Sequence, residues 1–165
     1  MSDPLPPKTP RDSATELAEL IMPQHANILG KAFGGVILAL IDKAAGAASI
    51  RHAGRTCVTA QVDRITFHGP IEIGELVRIL ACVNYVGRSS MEVGVKVLAM
   101  NVQTGEQRRT NTCYVTMVAI DEQGKPAPVP PLQPETEDEL RRHRAAQERM
   151  AARKTQRLRE KDDLS

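Results

Sequence analysis

The run GGVILALIDKAAGAASIRH, from Gly34 to His52, constrains this chain more than any other segment. It is mostly apolar and contains no proline. It is too long for an ordinary strand, so length predicts a helix. Arg51 and His52 at its end suit the negative pole of a helix dipole, and Gly54 follows as a stop. Apolar side chains surround most of the helix, so it is expected to be buried rather than to lie on a surface.

The flanking segments read as strands. Thr15–Met22 is a first strand, ended by Pro23. After the helix, Val58, Ala60 and Val62 alternate with Thr59, Gln61 and Asp63. The apolar phase then flips to Ile65 and Phe67, which predicts a β-bulge near Asp63–Arg64. Leu76–Val86 puts Val77, Ile79, Ala81, Val83 and Tyr85 on one face. Met91–Met100 does the same with Met91, Val93, Val95, Val97 and Ala99. Gln107–Ile120 is the last long strand. The turns between them, Gly87-Arg88-Ser89-Ser90 and Asn101–Gly105, are short, which favours antiparallel neighbours. The predicted class is α+β, an antiparallel sheet wrapped about one long central helix.

A length of 165 residues fits one domain. Residues 1–14 carry Pro4, Pro6, Pro7 and Pro10 among polar neighbours and are expected to be a disordered leader. The folded domain is expected over 15–125, followed by a stiff Pro-rich tether over 126–134 and a charged helical tail over 135–165. From Glu135 onward there are nine Lys and Arg against eight Asp and Glu, so the tail is near neutral. A solvated helix partly docked on its own oligomer fits that balance better than a phosphate- or nucleic-acid-binding arm. With aromatics at 2% and no Trp, the core must be aliphatic. A net charge of +2 is too close to balance to point to a polyanionic partner. Cys57, Cys82 and Cys113 lie in apolar runs without a CxxC pair, as reduced buried thiols do. Neither a signal peptide nor a membrane-length apolar run is visible, so a soluble, cytoplasmic protein is expected.

Asp42 is the most informative position. A carboxylate two turns into an apolar helix is costly unless it is paired or solvated. Helical steps of three and four place it with Gly35, Ala39, Gly46 and Ser49, all small. That stripe would let a thin ligand or another backbone reach the carboxylate. Pairing with a buried Arg, or a place in a wet subunit seam, would account for Asp42 equally well. Gly34 and Gly35 open the helix and leave its first N–H groups accessible, a setting that stabilises a developing oxyanion, although a glycine pair also serves tight packing alone. Asn27 could add an amide donor, although His25 and Asn27 also suit a turn. There is no Gly-x-Ser-x-Gly, HExxH or P-loop, and the four histidines are too scattered for zinc.

The segments PQHANILGKAFGGVILALIDKAAGAASIRH, VTAQVDRITFHGPIEIGELV, VGRSSMEVGVKV and YVTMVAIDEQGKPAPVP together resemble the hotdog-fold acyl-CoA thioesterases, in the bacterial and brain-type acyl-CoA hydrolase group. The resemblance runs from about Thr15 to Glu137. It implies a hotdog fold and hydrolysis of acyl-CoA to a fatty acid and CoA. It implies that Asn27 polarises the thioester carbonyl, that the Gly35 N–H is an oxyanion donor, and that Asp42 activates water or attacks directly. Thr59 would hold the water, and Gly87, Arg88, Ser89 and Ser90 would contact CoA. The resemblance further implies a homo-oligomer, at least a dimer and commonly a trimer of dimers, with Asn27 of one subunit facing Asp42 of another. Coenzyme A enters as part of substrate and product, and no separate cofactor, nucleic acid or membrane is implied. A non-catalytic acyl-CoA-binding hotdog protein is the alternative. A hotdog dehydratase would need a catalytic His, for which only His25 is available.

Overall fold

The structure, a computed structural model, describes residues 5–163, with side chains described as far as residue 156. A one-turn helix α1 (Pro10–Ser13) and strand β1 (Thr15–Leu20) precede the long helix α2 (Gly34–Ala53). Strands β2 (Cys57–Val62), β3 (Glu75–Val86), β4 (Ser90–Asn101) and β5 (Gln107–Ala119) follow, and helix α3 (Glu137–Asp163) comes last. The strands form one antiparallel sheet in the order β1-β3-β4-β5-β2. No described helix is long and apolar enough to cross a membrane.

Helix α2 lies on the inner face of this sheet and touches all five strands. Gly54 ends it in the left-handed region, at φ 67°, and donates its N–H to the Ile50 carbonyl at 2.8 Å. Ile37, Ile41, Ala44, Ala45 and Ala48 are buried against Val77, Ile79, Val93, Val95, Val97, Val115 and Met117. The helix is not buried on all sides, as its composition predicted. Leu38, Ala39, Asp42, Lys43 and Ile50 are exposed. One sheet covers one face of a helix, so the apolar character of the other face has no use within a single chain.

Two bulges shift the predicted strand faces. In β2 the register slips between Thr59 and Gln61, earlier than the expected bulge at Asp63–Arg64. Thr59 therefore faces α2, and Asp63 falls on the outer face. In β3 the slip comes between Val83 and Tyr85. Tyr85 leaves the inner row, where alternation had placed it, and its ring lies 5.6 Å from that of His143 on α3. The extra residue, Asn84, folds over Gly94, where an added Cβ would meet Asn84 Nδ2 at 2.3 Å.

Residues 1–4 of the expected leader lie outside the described residues. The rest is not a disordered arm. Asp12 caps α1 by accepting the Thr9 N–H at 2.7 Å, and the buried Ser13 Oγ accepts the Val83 N–H at 2.9 Å. The Pro-rich stretch is not a free tether either. Ala127 and Val129 donate to the carbonyls of Ala119 and Arg88, and Lys8 and Gln133 bond to Pro131 and Lys8 in turn. His52, buried at the end of α2, bonds through Nε2 to the Pro130 carbonyl at 2.9 Å. Proline removes donors but leaves carbonyls free, so such a segment can be strapped down by its neighbours' N–H groups.

Helix α3 begins with a capping box: the Glu139 N–H donates to Thr136 Oγ1, and the Thr136 N–H donates to Glu139 Oε2. The helix then crosses the outer face of the sheet, where it is held mainly by charge. Glu92 on β4 is fully buried. It accepts from Arg149 at 2.7 Å and lies 3.0 Å from Arg153. Arg153 also pairs with Asp63. The Arg149 guanidinium sits 3.5 Å from the centre of the Tyr114 ring. The helix thus docks on its own subunit, and Arg149 and Arg153 have specific partners.

Candidate functional site

The bulge in β2 has a direct chemical result. Cys57 and Thr59 lie on the face that meets α2, and Thr59 Oγ1 donates to Asp42 Oδ1 at 2.5 Å. That is the length of a charge-assisted O–H···O⁻ bond. Asp42 is therefore neither paired with an Arg nor sealed in a core. It stands on the uncovered face of α2, with one oxygen fixed by Thr59 and the other oxygen available. The hydroxyl has one proton, already committed to Asp42, so towards a further molecule Thr59 can only accept. A water donating one proton to Thr59 and one to Asp42 Oδ2 would satisfy both groups.

Gly35 is the second residue of α2, and its N–H is among the first four that have no carbonyl partner within the helix. It lies two turns before Asp42 on the same stripe, about 10 Å along the axis. The chain's two phenylalanines both gather here. An added Cβ at Gly35 would come within 2.4 Å of the Phe33 ring, and one at Gly34 would touch Phe67 at 3.6 Å. Gly35 is thus required by the ring above it, which patterns of small residues alone do not reveal. Phe33 directly precedes the glycine pair in the sequence, whereas Phe67 is brought to it only by the fold.

Asn27 occupies the loop before α2. Its side-chain oxygen accepts the N–H groups of Leu29 at 2.9 Å and Lys31 at 3.2 Å. It is a turn residue, and that role turns its Nδ2 donor end away from the loop. No hydrogen bond among the described residues joins Asn27 to Asp42 or Gly35 within the chain. His25 is held differently, accepting the Met22 N–H on Nδ1 at 3.1 Å. Around Asn27 the surface is apolar: Ile28 is fully exposed, Leu29 is 76% exposed and Phe33 56%.

Gly87, Arg88, Ser89 and Ser90 form the β3–β4 turn, closed by the Gly87 N–H donating to the Ser90 carbonyl at 2.8 Å. Ser90 pairs across the sheet with Val118, and Val118 with Val58, the neighbour of Thr59. The turn is thus two strands from the Asp42–Thr59 pair, about 10 Å away. Beside it a groove of about 510 Å³ opens between the outer face of the sheet and α3. No group of three or more His, Cys, Asp or Glu among the described residues is arranged to hold a metal.

Residues 29–105 match the model of the thioesterase superfamily. The chain is 38% identical to the uncharacterized acyl-CoA thioester hydrolase of Bacillus subtilis, over 87% of this chain and 84% of that protein. The acyl-CoA hydrolase of Staphylococcus aureus, solved with butyryl coenzyme A, coenzyme A and coenzyme A disulfide, superimposes with a TM-score of 0.89 at 34% identity. That match covers 96% of this chain and 97% of the other. A hexameric acyl-CoA thioesterase solved without ligand gives a TM-score of 0.88 at 38% identity, covering 92% of this chain and 97% of that one.

Proposed function

Since this chain belongs to the thioesterase superfamily, within the acyl-CoA hydrolases of the hotdog fold, we propose that it hydrolyses acyl-CoA with Asp42 as the group that activates water. The observation that carries this reading is the hydrogen bond from Thr59 to Asp42 on the open face of α2. Asp42 takes a proton from a water that also donates to Thr59, and the resulting hydroxide attacks the thioester carbonyl. The carbonyl oxygen becomes negative and is met by the Gly35 N–H and by Asn27 Nδ2. Collapse of this intermediate expels the CoA thiolate, which takes the proton back from Asp42. Base catalysis supplies about 10²–10⁴-fold, and each oxyanion donor about 10²–10³-fold. Direct attack by Asp42, through a mixed anhydride, is the competing route.

The site is read as complete only in an oligomer. Asn27 has no bond to Asp42 among the described residues, and apolar side chains stand exposed near each: Ile28, Leu29 and Phe33 by Asn27, and Leu38 one turn before Asp42 on α2. A second copy laid on this face would cover them and bring its own Asn27 to Asp42. The hexameric thioesterase among the similar structures supports such an assembly, and the complexes of the Staphylococcus aureus hydrolase support CoA as the carrier. Gly87 to Ser90 are assigned to the CoA arm.

Asp42→Ala is expected to keep the oligomer and to lose hydrolysis of an acyl-CoA panel from acetyl to palmitoyl. Turnover near wild type would sink the assignment. A single turnover in heavy-oxygen water probes the two routes: label in the Asp42 carboxylate means an anhydride opened at its aspartyl carbonyl. Label in the product acid alone fits both the general base and an anhydride opened at its acyl carbonyl, which mass spectrometry of the quenched turnover for acylated Asp42 tells apart.

A further inference from the structure

Helix α3 has no part in the chemistry above, yet it is docked through a fully buried carboxylate. The groove beside the β3–β4 turn gives it one. Its walls are Gly87 and Ser90 from the turn, Val118 from β5, and Gln147, Met150 and Lys154 from α3. Gln147 and Lys154 are seven residues apart, two helical turns, and so lie on one face. Both are exposed, and neither has a hydrogen bond or ion pair among the described residues. The other charged residue lining the groove, Arg153, is engaged with Asp63 and Glu92. Lys154 is therefore the uncompensated charge of this groove.

We propose that α3 is the outer wall of the CoA-binding groove, with Lys154 the counter-charge for a CoA phosphate. The inference rests on the acyl-CoA hydrolase reading and extends it to the nucleotide end of the substrate. Coenzyme A is a flexible arm with two amides that ends in phosphates. An apolar floor of Val118 and Met150 suits the arm. The Gln147 amide can both donate to and accept from its peptide-like groups. A lysine on a long stem meets phosphate as a mobile point charge. The docking pairs Arg149–Glu92 and Arg153–Asp63 hold the helix in place and leave Lys154 facing the groove.

The test compares two thioesters of the same acyl group: butyryl-CoA, and butyryl-pantetheine, which lacks the phosphates. In Lys154→Ala the ratio of kcat/KM for butyryl-CoA to that for butyryl-pantetheine is expected to fall about tenfold, through KM. Lys154→Glu should lower it further, and Lys154→Arg should restore most of it. Lys96→Ala removes an exposed outer-face lysine outside this groove and should leave the ratio at its wild-type value. An unchanged ratio in Lys154→Ala overturns the inference, and so does an equal fall in Lys96→Ala. A wild-type protein inert to every acyl-CoA would remove the hydrolase reading itself, whereas an active one with an unchanged ratio removes only the role of α3.

Discussion

The two faces of the sheet each carry a helix, and they hold it by opposite means. On the inner face, α2 is fixed by aliphatic side chains, Ile37, Ile41 and three buried alanines against rows of valine. On the outer face, α3 is fixed by Arg149 and Arg153 on Glu92 and Asp63. Each face also has one conspicuous carboxylate. Asp42 belongs to the apolar helix but is exposed, whereas Glu92 belongs to the charged interface but is fully buried. The lesson is that a carboxylate's surroundings, not its neighbours in sequence, assign its role. Asp42 has one hydrogen bond and an open side, as the proposed reacting group needs. Glu92 is enclosed by guanidinium groups, as a structural group needs.

The largest expected effect separates these two acids. Asp42→Asn should lower kcat by about 10²–10⁴-fold while leaving thermal unfolding near wild type. Steady-state kinetics with calorimetry would check both halves. If Asp42→Asn unfolded the protein instead, the contrast would collapse. Next, the aliphatic side can be broken with Ile41→Ala, which should destabilise by about 3 kcal/mol through the cavity it leaves, read from urea unfolding. The ionic side comes third. Glu92→Gln should cost about 2 kcal/mol, because two arginines lose their charged partner while Arg153 keeps Asp63. It should also expose α3 to limited proteolysis, with α2 still protected.

A smaller effect concerns His52, where α2 meets the strap. Burial holds its imidazole below the ordinary value of 6.5, against a lesser upward pull from the hydrogen bond to Pro130. The unfolded chain then binds a proton more readily than the folded one, so stability is full above pH 6.5 and falls as the pH drops below it. The slope is at most about 1.4 kcal/mol per pH unit. His52→Gln, which keeps a donor for Pro130, should flatten unfolding curves between pH 7 and pH 5; an unaltered slope would assign the acid sensitivity elsewhere. The smallest effect is in thiol chemistry. Burial, aided by Asp63, pushes the Cys113 thiol up to about 11, and Cys57 is half-buried. Alkylation at neutral pH should reach Cys57 first and Cys113 only on unfolding, as mass spectrometry would show.

The same contrast explains what could be read from the sequence. The bounds of α2 and the inner rows of β3 and β4 follow from hydrophobic periodicity, which reports contact with a core. Asp42 stood out because it broke that pattern. Periodicity is silent on the outer face, where Glu92, Arg149 and Arg153 look like ordinary solvated charges until the fold sets them together. The bulges at Ala60 and Asn84 were misplaced or missed for a related reason. A slip of one residue is set by backbone pairing, and the side chains nearby, Gln61 and Tyr85, are acceptable on either face. The docking of the stiff stretch over 126–134 is not legible in the sequence, because proline content speaks of stiffness and says nothing about what the remaining carbonyls bond to.

That strap also orders events during synthesis. Lys8 pairs with Pro131 and Gln133, so the segment around Lys8 is made well before the stretch it bonds to. At translation rates of about 5–20 residues per second, the N-terminal segment has no strap partner for several seconds. The inner helix and the hairpins can assemble in that interval, and closure of the strap then ties the segment around Lys8 to the finished sheet, before α3 docks.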